Sequence, residues 1–186
     1  SGNAGSANFT KFAPYVGHAN GLAWCATFVT YCFVRAANGN KETASKVLCG
    51  ANTAGCAANE TAFRRANRWR SGSQAPQPGD VIFYTHSHTG LVTEVNGSTF
   101  KTIEGNTSGG QNYERNGGCV AEKVRNVGDS KIKGFGVPAF DGTSAFNGDL
   151  SSSAVSVDSS SSGSSSSSSS TGGFTGTLAK IGNVFT

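Results

Sequence analysis

The sequence predicts an α+β fold in which N-terminal helices pack on an antiparallel β-sheet. In the first half of the folded part, apolar residues recur at helical spacing, whereas the second half consists of short runs typical of strands. Two of these runs flank Asn96-Gly97, a dipeptide that strongly favours a tight β-hairpin. Helices first and then a meander of strands indicate antiparallel pairing rather than a parallel sheet.

The strongest helical pattern lies between residues 23 and 37. It stops at Asn38-Gly39, which is typical of a helix C-terminus. Weaker helices are predicted at 41–48 and 60–69, and the segment 71–80 is rich in turn residues. Strands are predicted at residues 81–84, 85–95, 98–104, 120–127 and 131–137.

The chain of 186 residues has room for one domain and some additional chain. Serine occupies 15 of the 20 positions from 151 to 170, and such a segment buries too little apolar surface to fold. We therefore predict a folded body at 1–141, a Ser/Gly-rich linker at 142–173 and a short apolar segment at 174–186. This last segment is expected to dock on a partner or to begin a further domain. Because the chain lacks methionine, we expect it to be a piece of a longer protein.

Charge and hydropathy exclude two classes of protein. The net charge of +4 belongs to the first 150 residues, where it is too weak and dispersed for a nucleic-acid-binding surface. No apolar run approaches the roughly 18 residues that a membrane-spanning helix needs. We therefore expect neither nucleic acid nor membrane as a partner.

Cys25 differs from the other cysteines because it begins the strongest predicted helix. The unsatisfied N–H groups and positive end of a helix N-terminus favour the thiolate, which is the nucleophilic form of cysteine. A buried structural cysteine beside Trp24 is the alternative that this feature alone leaves open.

The other four cysteines have simpler interpretations. Cys32, two turns after Cys25, and Cys119, at the start of a strand, are expected to be packing residues. Cys49 and Cys56 flank a short flexible loop. They either form a disulfide in an oxidising compartment or remain two separate thiols.

A cysteine nucleophile needs a base and a group that orients the base. His86 and His88 lie two apart at the start of one predicted strand, and Glu104 and Asn106 lie two apart at the end of the next, so each pair is expected to share a face. The Asn96-Gly97 hairpin brings the start of the first strand close to the end of the second. His88 and Glu104 are therefore expected to be neighbours, in the arrangement of a thiol-hydrolase triad.

Five stretches of the sequence together resemble the CHAP domains, the cysteine- and histidine-dependent amidohydrolases and peptidases related to the NlpC/P60 and papain-like hydrolases. They occur in the order of the family and span roughly residues 15–140. The stretches are NGLAWCATFVTYC around Cys25, QPGDVIFY at 77–84, HTGLVTEVNG at 88–97, TIEGNTSG at 102–109 and KIKGFGVP at 131–138.

The resemblance implies a papain-like, NlpC/P60-like fold and a CHAP-like catalytic domain over residues 1–141. It implies that Cys25 is the nucleophile, that His88 is the base and that Glu104 orients the base. Asn106 matches a polar position beside Glu104 and is expected to belong to the site. The resemblance also selects His88 over His86, because the family pattern places its histidine before a small residue and a glycine.

The activity that the resemblance implies is hydrolysis of amide bonds in bacterial peptidoglycan. The enzyme would be an N-acetylmuramoyl-L-alanine amidase or a stem-peptide or cross-bridge endopeptidase. We expect it outside the cell, as a phage lysin or a virion-associated tail lysin whose C-terminal tail binds other virion or wall-binding components. The alternatives are a secreted bacterial wall-remodelling enzyme, a toxin-like thiol protease or amidase with another substrate, and a non-catalytic structural module of an assembly.

No cofactor and no metal are expected. Some CHAP domains bind calcium through an acidic loop ahead of the cysteine, but residues 1–24 contain neither Asp nor Glu. Calcium needs several such hard oxygen ligands. No two cysteines have the C-x2-C spacing that is typical of structural zinc sites.

Five further residues have open roles. Asn20 and Tyr15 are candidates for a second oxyanion donor beside the Cys25 N–H, with turn or packing roles as the alternatives. Trp24, Trp69 and Tyr84 either line a cleft for glycan or stem peptide or pack in the core, and core packing is favoured.

Overall fold

The computed structural model describes residues 8–114 and 116–140. The predicted linker at 142–173 and the predicted apolar segment at 174–186 lie outside these residues. The described chain forms four helices followed by six strands. The helices are α1 (Phe12–Val16), α2 (Cys25–Ala36), α3 (Lys41–Val47) and α4 (Cys56–Arg65). The strands are β1 (Trp69–Ser71), β2 (Val81–Tyr84), β3 (Thr89–Asn96), β4 (Thr99–Thr107), β5 (Cys119–Asn126) and β6 (Ile132–Gly136).

All six strands belong to one sheet with the order β1-β6-β2-β3-β4-β5, and every neighbouring pair is antiparallel. The α+β prediction is therefore confirmed. None of the helices in the described part of the chain is long and apolar enough to cross a membrane.

The apolar run of β2 reflects its place in the middle of the sheet. Val81 and Phe83 belong to the core that contains α2, whereas Ile82 and Tyr84 belong to a second core on the opposite face. Ten of the twelve residues of α2 are buried. The helix is thereby fixed against the sheet, and its first residue, Cys25, is buried with it.

The predicted bounds of the helix at 60–69 and of the strand at 85–95 were wrong. The helix predicted at 60–69 is α4, which begins earlier and ends before Asn67, a residue with φ of 55°. Trp69 instead begins β1, which pairs with β6. The strand predicted at 85–95 begins only at Thr89, because residues 85–88 form the turn that joins β2 to β3. In that turn the Tyr84 N–H donates to the His88 carbonyl, and Ser87 has φ of 59°.

Candidate active site

Cys25 is the first residue of α2 and is 2% exposed. Its backbone N–H and those that follow it lack partners within the helix, so they surround the thiol with positive partial charges. The preceding loop is fixed to the helix through His18. The His18 Nε2–H donates to the Asn52 carbonyl at 2.8 Å, and His18 Nδ1 is 2.9 Å from the Thr27 hydroxyl.

His88 and Glu104 meet across β3 and β4, as the hairpin predicts. His88 Nε2 donates a 3.0 Å hydrogen bond to Glu104 Oε2, and both side chains are at most 1% exposed. His88 Nδ1 is buried and makes no standard hydrogen bond with the described residues. Because Nε2 is bonded to Glu104, Nδ1 is the nitrogen left for Cys25. Base and nucleophile often make their hydrogen bond only when substrate is bound.

The Glu104 carboxylate has further buried donors. Oε1 accepts hydrogen bonds from the Tyr84 hydroxyl at 2.6 Å and from the Thr102 hydroxyl at 2.7 Å. Arg125 Nη2 lies 3.5 Å from the same oxygen. These contacts replace the water that the carboxylate loses on burial, so Glu104 can remain ionised.

The pKa values of the three groups follow from these contacts. The hydrogen bond with Cys56 and the proximity of His88 hold the pKa of Cys25 well below its usual value, although burial acts in the opposite direction. Burial lowers the pKa of His88, but the contacts with Cys25 and Glu104 outweigh it and raise that pKa to about 9. Burial raises the pKa of Glu104, but the hydrogen bonds from His88, Tyr84 and Thr102 lower it by more. The shifts of Cys25 and His88 together favour a thiolate beside an imidazolium.

Two glycines allow β4 to approach its neighbours. A Cβ on Gly105 would lie 2.5 Å from Phe28 Cβ and 2.8 Å from Trp24 Cζ3, so only glycine lets β4 lie so close to α2. A Cβ on Gly90 would lie 2.7 Å from Glu104 Cγ. The glycine that follows His88 and Thr89 thus leaves the space that the Glu104 side chain occupies.

Asn106 lies two residues beyond Glu104 on β4 and is fully buried. Its side-chain oxygen and nitrogen have no hydrogen-bond partner among the described residues. The register shift between Glu104 and Thr107 and the φ of 59° at Asn106 interrupt the regular alternation of the strand. The two-residue spacing of Glu104 and Asn106 therefore does not establish that their side chains lie on the same face, as the sequence analysis expected.

His86 lies in the β2–β3 turn rather than in a strand. Its ring stacks on that of His88, with centroids 5.7 Å apart, and also contacts Tyr84 and Tyr113. Burial and the charge of His88 lower the pKa of His86. Of the two histidines, His88 has the hydrogen bond to Glu104.

Cys56 begins α4 and lies beside Cys25, with the two sulfur atoms 3.5 Å apart. None of the five cysteines, all of which lie in the described part of the chain, is in a disulfide. Cys49 Sγ instead donates to the Val47 carbonyl. In these contacts, the cysteine beside Cys56 is therefore Cys25, the predicted nucleophile.

The residues with open roles are mostly structural. Asn20 Oδ1 accepts from the Thr10 N–H at 2.9 Å, and Tyr15 packs against Tyr31, so turn and packing roles account for both. Trp24 is 2% exposed and packs on Phe12 and Phe28 in the core.

Trp69 and Tyr84 differ from this pattern. Trp69 is half-buried, with the Arg64 guanidinium 3.9 Å above its ring. Tyr84 is buried but donates to Glu104, a contact that neither the cleft nor the core interpretation included. In the described residues, no group of three or more His, Cys, Asp or Glu side chains is arranged to hold a metal ion.

The sequence interpretation missed the contacts that Tyr84, Arg125 and Cys56 make in the site. A signal existed for Tyr84, because its hydroxyl ends an otherwise apolar central strand and a buried hydroxyl needs a partner. Arg125 had no such signal, since its run reads as an alternating strand with a charged solvent face.

Comparison with known proteins supports the resemblance found in the sequence. The family model of the CHAP domain matches residues 17–106. This span contains Cys25, His88, Glu104 and Asn106, and it ends before β5 and β6. Comparisons with curated proteins and with solved structures found no match.

Proposed function

Since this chain carries a CHAP domain, we propose that it hydrolyses amide bonds of bacterial peptidoglycan with Cys25 as the nucleophile. CHAP domains are generally amidases or peptidases that act on peptidoglycan. The observation that carries the proposal for this chain is the His88–Glu104 hydrogen bond beside a thiol whose pKa is lowered. A cysteine that served only packing would have its pKa raised by burial, as Cys32 has.

The first half of the proposed reaction forms an acyl-enzyme. The Cys25 thiolate attacks the carbonyl carbon of the amide, and the electron pair moves onto the oxygen. The Cys25 N–H, at the start of α2, is placed to stabilise that oxyanion. As the C–N bond breaks, His88 donates its proton to the leaving amine, and a thioester remains on Cys25.

The second half releases the acid. Neutral His88 removes a proton from water, and the resulting hydroxide attacks the thioester carbonyl. Cys25 leaves as a thiolate, and His88 is again an imidazolium beside it. Throughout the cycle the Glu104 carboxylate holds the Nε2–H tautomer and stabilises the cation.

We propose an extracellular setting for this activity, because the substrate lies outside the bacterial membrane. A phage lysin or a virion-associated tail lysin accounts for the catalytic domain at 1–141 with a Ser/Gly-rich linker at 142–173. The apolar segment at 174–186 would then bind virion or wall-binding components. A secreted bacterial wall-remodelling enzyme is the alternative setting.

Digestion of purified sacculi by wild type and by Cys25→Ala, with mass spectrometry of the released fragments, tests the proposal. We expect wild type to release soluble fragments and Cys25→Ala to release none. Glycan chains freed from intact stem peptides would identify an amidase, and new termini within the stem or bridge would identify an endopeptidase. A folded wild type that releases nothing from sacculi of several wall chemotypes would refute the peptidoglycan assignment.

A further inference from the structure

Two cations are buried on β5, outside the span that the CHAP family model matches. Lys123 and Arg125 are at most 3% exposed, whereas Val124 between them is 47% exposed. Both cations hold the loop that precedes β5. Lys123 Nζ donates to the carbonyls of Ser108 and Gly110, and Arg125 Nη1 donates to that of Gln111 at 2.8 Å.

Arg125 has a second set of contacts that Lys123 lacks. Its Nε donates to the Tyr84 hydroxyl at 3.2 Å, and that hydroxyl donates to Glu104. Its Nη2 lies 3.5 Å from Glu104 Oε1, and its guanidinium lies 4.1 Å from the centroid of the Tyr113 ring. Arg125 thus reaches the triad both directly and through Tyr84.

The charges around Glu104 change during the proposed reaction. In the thiolate–imidazolium form that the contacts favour, Cys25 and Glu104 are anions and His88 and Arg125 are cations, so these four charges cancel. In the acyl-enzyme, Cys25 is a neutral thioester and His88 has lost its proton. Arg125 is then the cation that still faces Glu104. An unpaired buried carboxylate would take up a proton and cease to stabilise an imidazolium.

We propose that Arg125 is a positioning residue that keeps Glu104 an anion throughout the cycle, both beside the imidazolium and while His88 is neutral. Its part in hydrolysis rests on the proposed function, whereas its effect on Glu104 does not. The other titratable or charged groups that face Glu104 and Arg125 are Tyr84, His86, His88, Tyr113 and Asp129.

The test measures the rate at which iodoacetamide alkylates Cys25 across pH, by mass spectrometry of the Cys25 peptide. In Arg125→Gln, Glu104 takes up a proton more easily, so His88 loses its partner and the thiolate is less stabilised. The midpoint of the alkylation profile should rise by roughly one pH unit. In Arg125→Lys, which keeps a cation at this position, the rise should be smaller. Lys123→Gln is the matched control, because it removes a buried cation that holds the same loop without contacting Glu104.

An unchanged midpoint in Arg125→Gln, or an equal shift in Lys123→Gln, would overturn the proposal. Alkylation needs no wall substrate, so the two proposals can fail separately. A shifted midpoint in Arg125→Gln, together with a wild type that is inactive on sacculi, would refute the proposed function and leave the role of Arg125 standing.

The contact between Cys25 and Cys56 carries a separate inference. The sulfur atoms are 3.5 Å apart, and they must approach by about 1.5 Å to form a disulfide. Each cysteine is the first residue of a helix, and Cys56 is partly exposed. Because the surroundings of Cys25 favour its thiolate, the nucleophile that thiol–disulfide exchange requires is already present.

We infer that Cys25 and Cys56 form a reversible disulfide that blocks the nucleophile, with small-molecule disulfides as the oxidant. The Cys25 thiolate attacks one sulfur of the small disulfide, forms a mixed disulfide and releases one small thiolate. The Cys56 thiolate then attacks the Cys25 sulfur and releases the second. The protein loses two electrons and two protons, the small disulfide is reduced to two thiols, and an added dithiol reverses the exchange.

Oxidised glutathione, followed by intact mass and alkylation of Cys25, tests this inference. The mass of the wild type should fall by two hydrogens, and its rate of Cys25 alkylation should fall at least tenfold. Dithiothreitol should reverse both changes. Cys56→Ala should instead gain a glutathione adduct on Cys25. Cys49→Ala is the matched control and should behave as wild type. Loss of the two-hydrogen change in Cys49→Ala would assign the bond to Cys49 and Cys56 and overturn the inference, as would a wild type that forms only adducts.

Discussion

His88 donates its Nε2–H to Glu104 across 3.0 Å, in a place where neither side chain contacts bulk water. The bond fixes the tautomer of His88, so its other nitrogen, Nδ1, is available to exchange a proton with Cys25. It also compensates the charge of the imidazolium in a buried site, where an unpaired cation would be costly. In the proposed mechanism, the pair therefore determines both the direction of proton transfer and the ionisation of the thiol.

Replacing Glu104 with Gln should preserve the shape of the site and remove its charge. Without the carboxylate, the imidazolium loses its partner, and the amide can present its oxygen or its N–H to the ring. We expect the rate of wall hydrolysis to fall by about 100-fold or more. The measurement is release of soluble peptidoglycan at matched protein concentration. A rate within twofold of wild type would contradict the role of Glu104.

His88→Ala should abolish activity, whereas His86→Ala should retain most of it. Although the two rings stack on each other, His88 has the hydrogen bond to Glu104. Turnover of sacculi by both variants, with circular dichroism as the folding control, distinguishes them. An inactive, folded His86→Ala with an active His88→Ala would reverse the assignment of the base.

The pH–rate profile should have an acid limb and an alkaline limb. On the alkaline side, the rate should fall as pH rises through about 9, because His88 loses the proton that the leaving amine needs. On the acid side, it should fall at a pH well below the usual thiol pKa, where the Cys25 thiolate takes up a proton. Both apparent values describe the coupled pair rather than one residue.

The Glu104→Gln variant checks the sign of this assignment. Because Glu104 raises the pKa of His88, its loss should move the alkaline limb to lower pH. An alkaline limb that stays in place would show that another group causes it.

Gly105→Ala should separate β4 from α2. The new methyl group would lie 2.5 Å from Phe28 Cβ, which must shift to accept it. We expect a loss of about 1–3 kcal/mol in the free energy of unfolding, with lower activity. Gly109→Ala is the control, because a Cβ there meets nothing within 4 Å. Equal denaturation midpoints for the two variants would contradict the close packing.

Removal of divalent metal should leave the rate unchanged, because each proposed step uses protein groups and water alone. The measurement is sacculus hydrolysis after dialysis against EDTA and again after calcium or zinc is restored. Strong inhibition that is reversed by one of these ions would reveal a metal site and contradict the expectation of a metal-free enzyme.

The sequence allowed the order of most elements and the His88–Glu104 contact to be predicted, because hydrophobic periodicity and one hairpin determine both. It predicted neither the short helix α1 nor the short strand β1. The structure has that hairpin, although its strands pair Asn96 with Thr99 and thus turn at Gly97-Ser98, one residue later than predicted. The predicted His88–Glu104 contact is compatible with a shift of one residue, because long side chains on neighbouring strands can still reach each other.

The sequence did not reveal the residues that support the triad, because the usual pattern of buried apolar and exposed charged residues is reversed on β5. Val124 is exposed while Lys123 and Arg125 are buried, so alternation alone would assign the charges to solvent. These cations are buried because a loop and the Glu104 carboxylate provide acceptors for them. Both partners are distant in sequence, and the contact between Cys25 and Cys56 likewise depends on how α2 and α4 pack.

Trapping of the acyl-enzyme tests the central role of Cys25 most directly. Wild type is mixed with soluble peptidoglycan fragments, quenched in acid within the first turnover and digested for peptide mapping. We predict a mass increase on the Cys25 peptide that matches the acyl part of the substrate and that hydroxylamine removes. Turnover of the same fragments with the adduct on another residue, or with Cys25→Ala as active as wild type, would contradict the account.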